Sequence, residues 1–222
     1  MTDTKWAFQR YESVRAELPK AKFPQTSLSG QDLRDTFADF DAYILDAFGV
    51  LNRGETAIEG AVDRMAELRA LGKRLIVLTN AASYTRVEIL AKYHRLGFDF
   101  DASEVVSSRD VTFANLPELP SSKVWAAAAA QGDDFSDAPD SAQITHLADN
   151  PDLLHTAGGF LFLSSARWQD ADTATLSKAL KDHPRPLIIA NPDLVAPREN
   201  GLSLEPGLFA HDIIAQTGAK AA

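Results

Sequence analysis

AYILDAFGVL, residues 42–51, is a near-continuous apolar run interrupted by one acid, Asp46, and closed near Gly49. Such a run predicts a parallel strand covered on both faces, rather than the alternating pattern of a strand with one wet face. Working downstream, Ile58, Val62, Met65 and Leu68 recur at spacings of three and four and predict a helix over Ala57–Leu71, stopped by Gly72. RLIVLTN (74–80) is a second buried strand. Ser83 is a good N-cap for a helix over 84–96, which Gly97 ends, and SEVVSS (103–108) is a short third strand. Strand, helix, strand, helix, strand is the order of a doubly wound α/β sheet.

The flanks divide the chain further. Residues 1–30 form a polar lead-in with one amphipathic helix, Trp6–Leu18, punctuated by Pro19 and Pro24. The first sheet is expected over 31–109. The stretch 110–205 changes character: it holds eight prolines from Pro117 to Pro197 and the acidic loop GDDFSDAPD. Its strand candidates are KVWAAAAA (123–130), GGFLFLSS (158–165) and PLIIAN (186–191), with a helix at Ala171–Leu180, so a second, smaller α/β unit is expected there. PGLFAHDIIAQT (206–217) reads as a helix with Pro206 at its start, and 206–222 as a return to the first unit.

Composition removes whole classes of function. Lys and Arg number 22 against 31 Asp and Glu, a net charge of −9, which is wrong for a general nucleic-acid backbone binder. No apolar run approaches the ~20 residues of a membrane-spanning helix, and MTDTKWAFQRYES lacks the apolar core of a signal peptide. With no Cys, thiolate metal sites, disulfides and Cys nucleophiles are excluded, and the five scattered His show no metal-binding spacing. A cytoplasmic protein whose chemistry rests on carboxylates and hydroxyls is the expectation.

Two strand ends carry that chemistry. Ligands of open α/β sheets bind beyond the carboxyl ends of strands, and Asp46 stands at one such end. A carboxylate there can hold a divalent cation or attack phosphorus; it can equally well serve only as a loop acceptor for backbone amides. Thr79 and Asn80 stand at the next strand end, where hydroxyl, amide and helix N-terminus can hold an oxyanion or merely cap the helix.

Taken together, DAFGVL, a helix, and LIVLTNAA resemble the first two motifs of the haloacid dehalogenase (HAD) superfamily of phosphatases. LGFDFDASEVVSS, IIANPD (188–193) and GLSLEPGLFAHDIIAQTG (201–218) are similar to the class IIA, NagD-like branch, in which an α/β cap is inserted after the second motif. The resemblance spans roughly residues 40–218 and implies a Rossmannoid parallel-sheet core, with 110–205 as the cap. It further implies that Asp46 is the nucleophile, forming an aspartyl-phosphate, and a ligand of Mg²⁺ together with the backbone carbonyl of Phe48. Thr79, with Asn80 beside it, would hold the phosphoryl oxygens. Asn191 and Asp193 would lie at the cap–core junction, and the substrate would be a small phosphorylated metabolite.

The chain departs from that pattern twice. Phe48 stands where these phosphatases usually carry a second Asp that moves protons, a role worth typically ~10²–10⁴-fold in rate. The family's GKP-like Lys and GDxxxxD-like acidic motif have no counterpart before Ala222, and Lys220, outside any GKP setting, does not take the role. The resemblance therefore implies an incomplete core in which AYILDAFGVL is a sheet edge. That edge would be completed by more chain or by a partner such as a second copy. A silent HAD-like domain that binds a phosphorylated ligand or a protein is the alternative to a phosphatase, and a related hydrolase cleaving another bond is a third reading. The acidic stretch Asp133, Asp134, Asp137, Asp140 lacks calcium-loop spacing and reads as a solvated loop; His94 reads as a partner for its helix C-terminus. His155 and His211 show no partner, and Ser164 and Ser165 no nucleophile elbow.

Overall fold

The structure, a computed structural model, describes residues 3–18, 20–27 and 29–220; Pro19 lies outside the described residues. In chain order the elements are α1 (Thr4–Val14), β1 (Ala42–Leu45), β2 (Asn52–Arg53), β3 (Thr56–Ala57), α2 (Ala61–Ala70), β4 (Arg74–Thr79), α3 (Arg86–Arg95), β5 (Val105–Ser107) and α4 (Ser108–Ala114). They continue with β6 (Trp125–Ala128), β7 (Ile144–His146), α5 (Leu153–Thr156), β8 (Gly159–Phe162), α6 (Asp170–Asp182), β9 (Leu187–Ile189), β10 (Val195–Arg198), β11 (Gly201–Leu204) and α7 (Pro206–Thr217). The chain is thus α/β, built on two parallel sheets ordered β1-β4-β5 and β7-β6-β8-β9, with two short antiparallel hairpins, β2-β3 and β10-β11.

The first sheet corrects one expectation. Its strands follow one another in a single direction, so right-handed crossovers carry both α2 and α3 to the same face. Tyr43, Leu45, Leu75, Val77 and Val105 point to that face and pack with Met65, Leu68, Ile89 and Tyr93. The other face is open: Ile44 is 72% and Leu78 52% exposed. The apolar run therefore marks a strand buried on one face only, and the sheet is not doubly wound by itself. As expected, β1 is the edge strand.

The second sheet does wind both ways. After β6 the chain steps out to β7, then crosses back to β8 and β9 on the other side. Both faces are covered, which accounts for the unbroken apolar runs there. Ala126, Phe160, Phe162 and Leu187 pack under Leu176 and Leu180 of α6 and Phe209 and Ile213 of α7. Trp125, Ala127, Leu161 and Leu163 pack on the opposite side with Phe113 of α4. Helix α7, in the segment expected to lead back to the first sheet, lies against α6 and β9.

Local details differ from the sequence reading in instructive ways. Helix α2 starts at Ala61 because residues 56–57 pair in a hairpin. Thr85, not Ser83, caps α3, and its partner Glu88 completes a capping box. The lead-in helix α1 is docked: Arg10 pairs with Asp212 of α7, the Tyr11 hydroxyl accepts from Leu194 N–H at 3.1 Å, and Val14 packs with Leu194 and Leu208. His211, without a visible partner in sequence, lies 2.8 Å from Glu17.

The acidic stretch is not simply a solvated loop. Asp133 and Asp137 grip the guanidinium of Arg109, whose side chain is only 1% exposed, at 2.6 and 2.8 Å. Arg109 also donates to the Ala82 carbonyl at 3.2 Å, so this α4 residue ties the second-unit loop to the β4–α3 connection. Burial alone would weaken the Arg109 proton, but the two carboxylates outweigh it and hold the guanidinium charged. Removing one partner of a buried pair costs ~3–5 kcal/mol, because the remaining charge is stranded. Arg109→Leu is therefore expected to lose that much in urea unfolding. Arg86→Ala, breaking a half-exposed pair with Asp110, should lose about 1 kcal/mol or less. Equal losses in the two variants would contradict this account.

Candidate active site

Parallel pairing of β1 with β4 aligns Leu45 with Val77, so Asp46 and Thr79 leave adjacent strands at the same end of the sheet. Past Asp46 the chain turns tightly. The Ala47 carbonyl accepts from the N–H groups of Val50, Leu51 and Asn52, and Gly49 takes φ +91°, a conformation that disfavours any side chain. Ala47 N–H donates to Asp46 Oδ1 at 2.7 Å and fixes one carboxylate oxygen. Thr79 is buried, and its hydroxyl accepts from Ala81 N–H at 3.3 Å.

The second unit supplies the other wall. Asn80 Nδ2 donates to Asp193 Oδ1 at 3.1 Å, across the junction of the two units. Asn191 is buried; its Oδ1 accepts from Asp193 N–H at 2.9 Å while its Nδ2 donates to Glu205 at 3.1 Å. Gly207 is required here, since a Cβ would meet the Pro192 carbonyl at 2.0 Å. Asp46, Phe48, Thr79, Asn80, Asn191 and Asp193 all line one cavity of about 230 Å³. All six residues singled out in sequence are thus brought together.

The sequence reading missed three groups in this region. Arg198, from β10, lies over the Phe48 ring at 5.0 Å and donates to Glu205 at 3.1 Å. Lys92, only 2% exposed, lies 4.6 Å from the same ring and 2.7 Å from Glu55. Burial pulls the Lys92 ammonium down from its usual range, with Glu55 opposing. Tyr84 closes the arrangement 5.0 Å from Lys92, its hydroxyl bonded to Glu55 at 3.2 Å and raised chiefly by burial. Arg198, in PREN (197–200) and five residues after the NPD acid Asp193, stands close enough in sequence to have been a candidate.

The metal ligands that the resemblance implies, the Asp46 carboxylate and the Phe48 carbonyl, belong to two residues that line this cavity. Among the described residues, no group of three or more His, Cys, Asp or Glu could hold a metal. Mg²⁺ commonly takes one or two carboxylates, keeps several waters and shares substrate phosphate oxygens. The donor set fits such an open, weakly held site and no tighter one.

Residues 43–137 match the family described as haloacid dehalogenase-like hydrolase. Over that region the chain is similar to haloacid dehalogenase-like hydrolases, and its two-sheet α/β fold is shared with solved structures. Among its relatives is glycerol-3-phosphate phosphatase of Homo sapiens, 46% identical over 71 residues, or 32% of this chain and 22% of that one. Two solved structures share the fold. A possible sugar phosphatase from Cytophaga hutchinsonii has TM-score 0.76 and 19% identity, over 88% of this chain and 70% of that one. A glycerol phosphate phosphatase from Mycobacterium tuberculosis in complex with magnesium has TM-score 0.62 and 20% identity, over 83% and 54%. The match to the human relative thus spans about a fifth of that protein's length. Among the described residues, no helix is long and apolar enough to cross a membrane.

Asp193 gives this site a pH signature. Burial raises its carboxyl above the usual range; the Asn80 hydrogen bond opposes this, while Asp46 and Glu205 reinforce it. A folded-state pKa above the unfolded value means that the native state holds the proton more tightly. The associated stability is fully present below the unfolded value, near 3.9, and is lost as pH rises through the folded one. Asp193→Asn keeps an oxygen for Asn80 but never ionises. It is expected to melt higher than the wild type at neutral pH, with the difference vanishing near pH ~4. A difference independent of pH in thermal melts would rule out a raised Asp193.

Proposed function

We propose that this chain carries out phosphatase-type hydrolysis of a small phosphorylated metabolite through Asp46. The observation that carries the reading is the convergence of Asp46, Thr79 and Asn80 from adjacent strand ends on one polar cavity. In the proposed reaction an Asp46 oxygen attacks phosphorus, forming an aspartyl-phosphate as the bond to the leaving oxygen breaks. Thr79 and Asn80 hold the phosphoryl oxygens during transfer, and water then releases inorganic phosphate and regenerates the carboxylate. Most of the catalysis in such transfers is positioning and charge stabilisation. Bound Mg²⁺, held by Asp46 and the Phe48 carbonyl, would offset repulsion between the carboxylate and the phosphate dianion.

The proton for the leaving oxygen needs a donor, and the Phe48 side chain has none. Asp193 lines the same cavity, is oriented by Asn80 and retains its proton to higher pH than an exposed carboxyl. We assign it the acid role that Phe48 cannot fill. A second reading rests on Phe48 itself: with the usual acid replaced, the site would bind phosphorylated ligands without turning them over. A cytoplasmic location is consistent with the absence of Cys. A second copy paired along β1 would cover its free edge.

Hydrolysis of p-nitrophenyl phosphate with added Mg²⁺, by wild type, Asp46→Asn and Asp193→Asn, tests this reading. Asp46→Asn is expected to abolish turnover, and Asp193→Asn to lower kcat by ~10²–10⁴-fold. Hydrolysis that survives Asp46→Asn unaltered would refute the nucleophile assignment. If the wild type is inactive yet Mg²⁺ with beryllofluoride raises its Tm through Asp46, the silent-binder reading holds instead.

A further inference from the structure

The chain holds a second, larger cavity, of about 330 Å³, that shares no lining residue with the cavity at Asp46. It lies in the second unit, where Ala128 ends β6, Ala129 comes next, and Ser164 follows β8. The second sheet reverses its winding between these two strands, since β7 lies outside β6 and β9 outside β8. The crevice beyond the carboxyl ends of strands at such a reversal is where open α/β sheets bind ligands. The volume falls at the lower end of the ~300–1,000 Å³ range of small-molecule sites.

Its walls specify a ligand chemistry. One wall is apolar: Leu147, Pro151, Leu154 and the half-buried Trp168. The Trp168 ring is held in place, edge-on to Phe162 with centroids 4.5 Å apart and with Nε1 donating to Thr173 at 3.0 Å. The facing wall is polar. Ser164 is 4% exposed; its hydroxyl oxygen accepts from Ala166 N–H at 3.2 Å, and its own proton has no acceptor among the described residues. Gln169, Asp172 and Thr175 add further donors and acceptors.

The charges exclude an anion. Among the described residues Arg167 is the one cation lining the cavity, and Asp149 already neutralises it with contacts at 2.5 and 3.3 Å. Asp172 adds a carboxylate, bonded to Gln169 N–H at 2.9 Å, at the start of α6. A phosphate would meet that carboxylate with no free cation to offset it. Hydroxyl groups, by contrast, donate and accept at once and suit a wall of mixed partners, while the apolar faces of a sugar ring suit an aromatic one.

We propose that this cavity is a separate binding site for an uncharged polyhydroxylated ligand, a free sugar or polyol. The assignment does not depend on Asp46 or on phosphatase chemistry. Trp168 provides the readout: D-glucose and D-ribose are titrated into the full chain while tryptophan fluorescence is followed, with ligand-observed NMR as the second signal. Ribose 5-phosphate serves as the charged comparator. A saturable response to one of the sugars is expected, at least tenfold weaker for the phosphate and retained in Asp46→Asn. Thr175 is exposed on α6, so Thr175→Phe fills the cavity without disturbing the core. That variant should keep its Tm and lose the response by both signals, and Ser164→Ala should weaken binding several-fold. The proposal is overturned if neither sugar gives a saturable signal up to ~10 mM, where a Kd of about 1 mM would be nearly saturated. It is equally overturned if Thr175→Phe binds as the wild type does, or if ribose 5-phosphate binds as well as ribose.

Discussion

The parallel pairing of β1 with β4 is the constraint on which the site depends. Its register sets Leu45 beside Val77, and everything chemical follows one or two residues later at the same end of both strands. A slip of one residue would turn Asp46 or Thr79 to the opposite face, because side chains alternate along a strand. The register is held from the buried side, where Tyr43 and Leu45 pack with Leu75 and Val77 over α2 and α3. Residues without any chemistry thus set the distance between the two groups that have it.

Phe48 links that constraint to the second unit. Where relatives of this resemblance place an acid, this chain places a ring with Lys92 and Arg198 at 4.6 and 5.0 Å. Lys92 comes from α3 of the first unit and Arg198 from the β10–β11 hairpin of the second. The hairpin is held nearby as well: Glu199 accepts from Glu55 N–H at 2.7 Å, and Gly54 N–H donates to the Pro197 carbonyl at 3.2 Å. A cation over a ring contributes ~0.5–2 kcal/mol, more as water is excluded, so the Phe48 ring helps attach the two units to each other.

Much of this was legible in sequence because it is local. The strand ends carrying Asp46 and Thr79, the helix spacing of Val62, Met65 and Leu68, and the NPD segment each announce themselves within a few residues. What escaped was non-local. Arg109 finds its carboxylates 24 and 28 residues downstream, and no periodicity within α4 marks it as buried. The open face of β1 escaped for a different reason. An apolar run reports hydrophobicity on both sides of a strand, whereas cover depends on the direction in which later strands join the sheet. The second sheet, with a similar run in GFLF, reverses and is covered on both faces.

The two cavities show how far topology goes and where it stops. Each lies beyond the carboxyl ends of parallel strands, as the winding of such sheets dictates. Their chemistry differs because the residues at those ends differ. At the first, Asp46, Thr79 and Asn80 meet Arg198 and the Asp193 carboxyl, whose hold on its proton burial strengthens. At the second, Ala128 and Ala129 leave space, Trp168 supplies a flat apolar wall and Asp172 places a negative charge where an anion would otherwise be drawn to the start of a helix. The fold decides where a ligand can sit; a handful of side chains at the strand ends decides whether it carries charge.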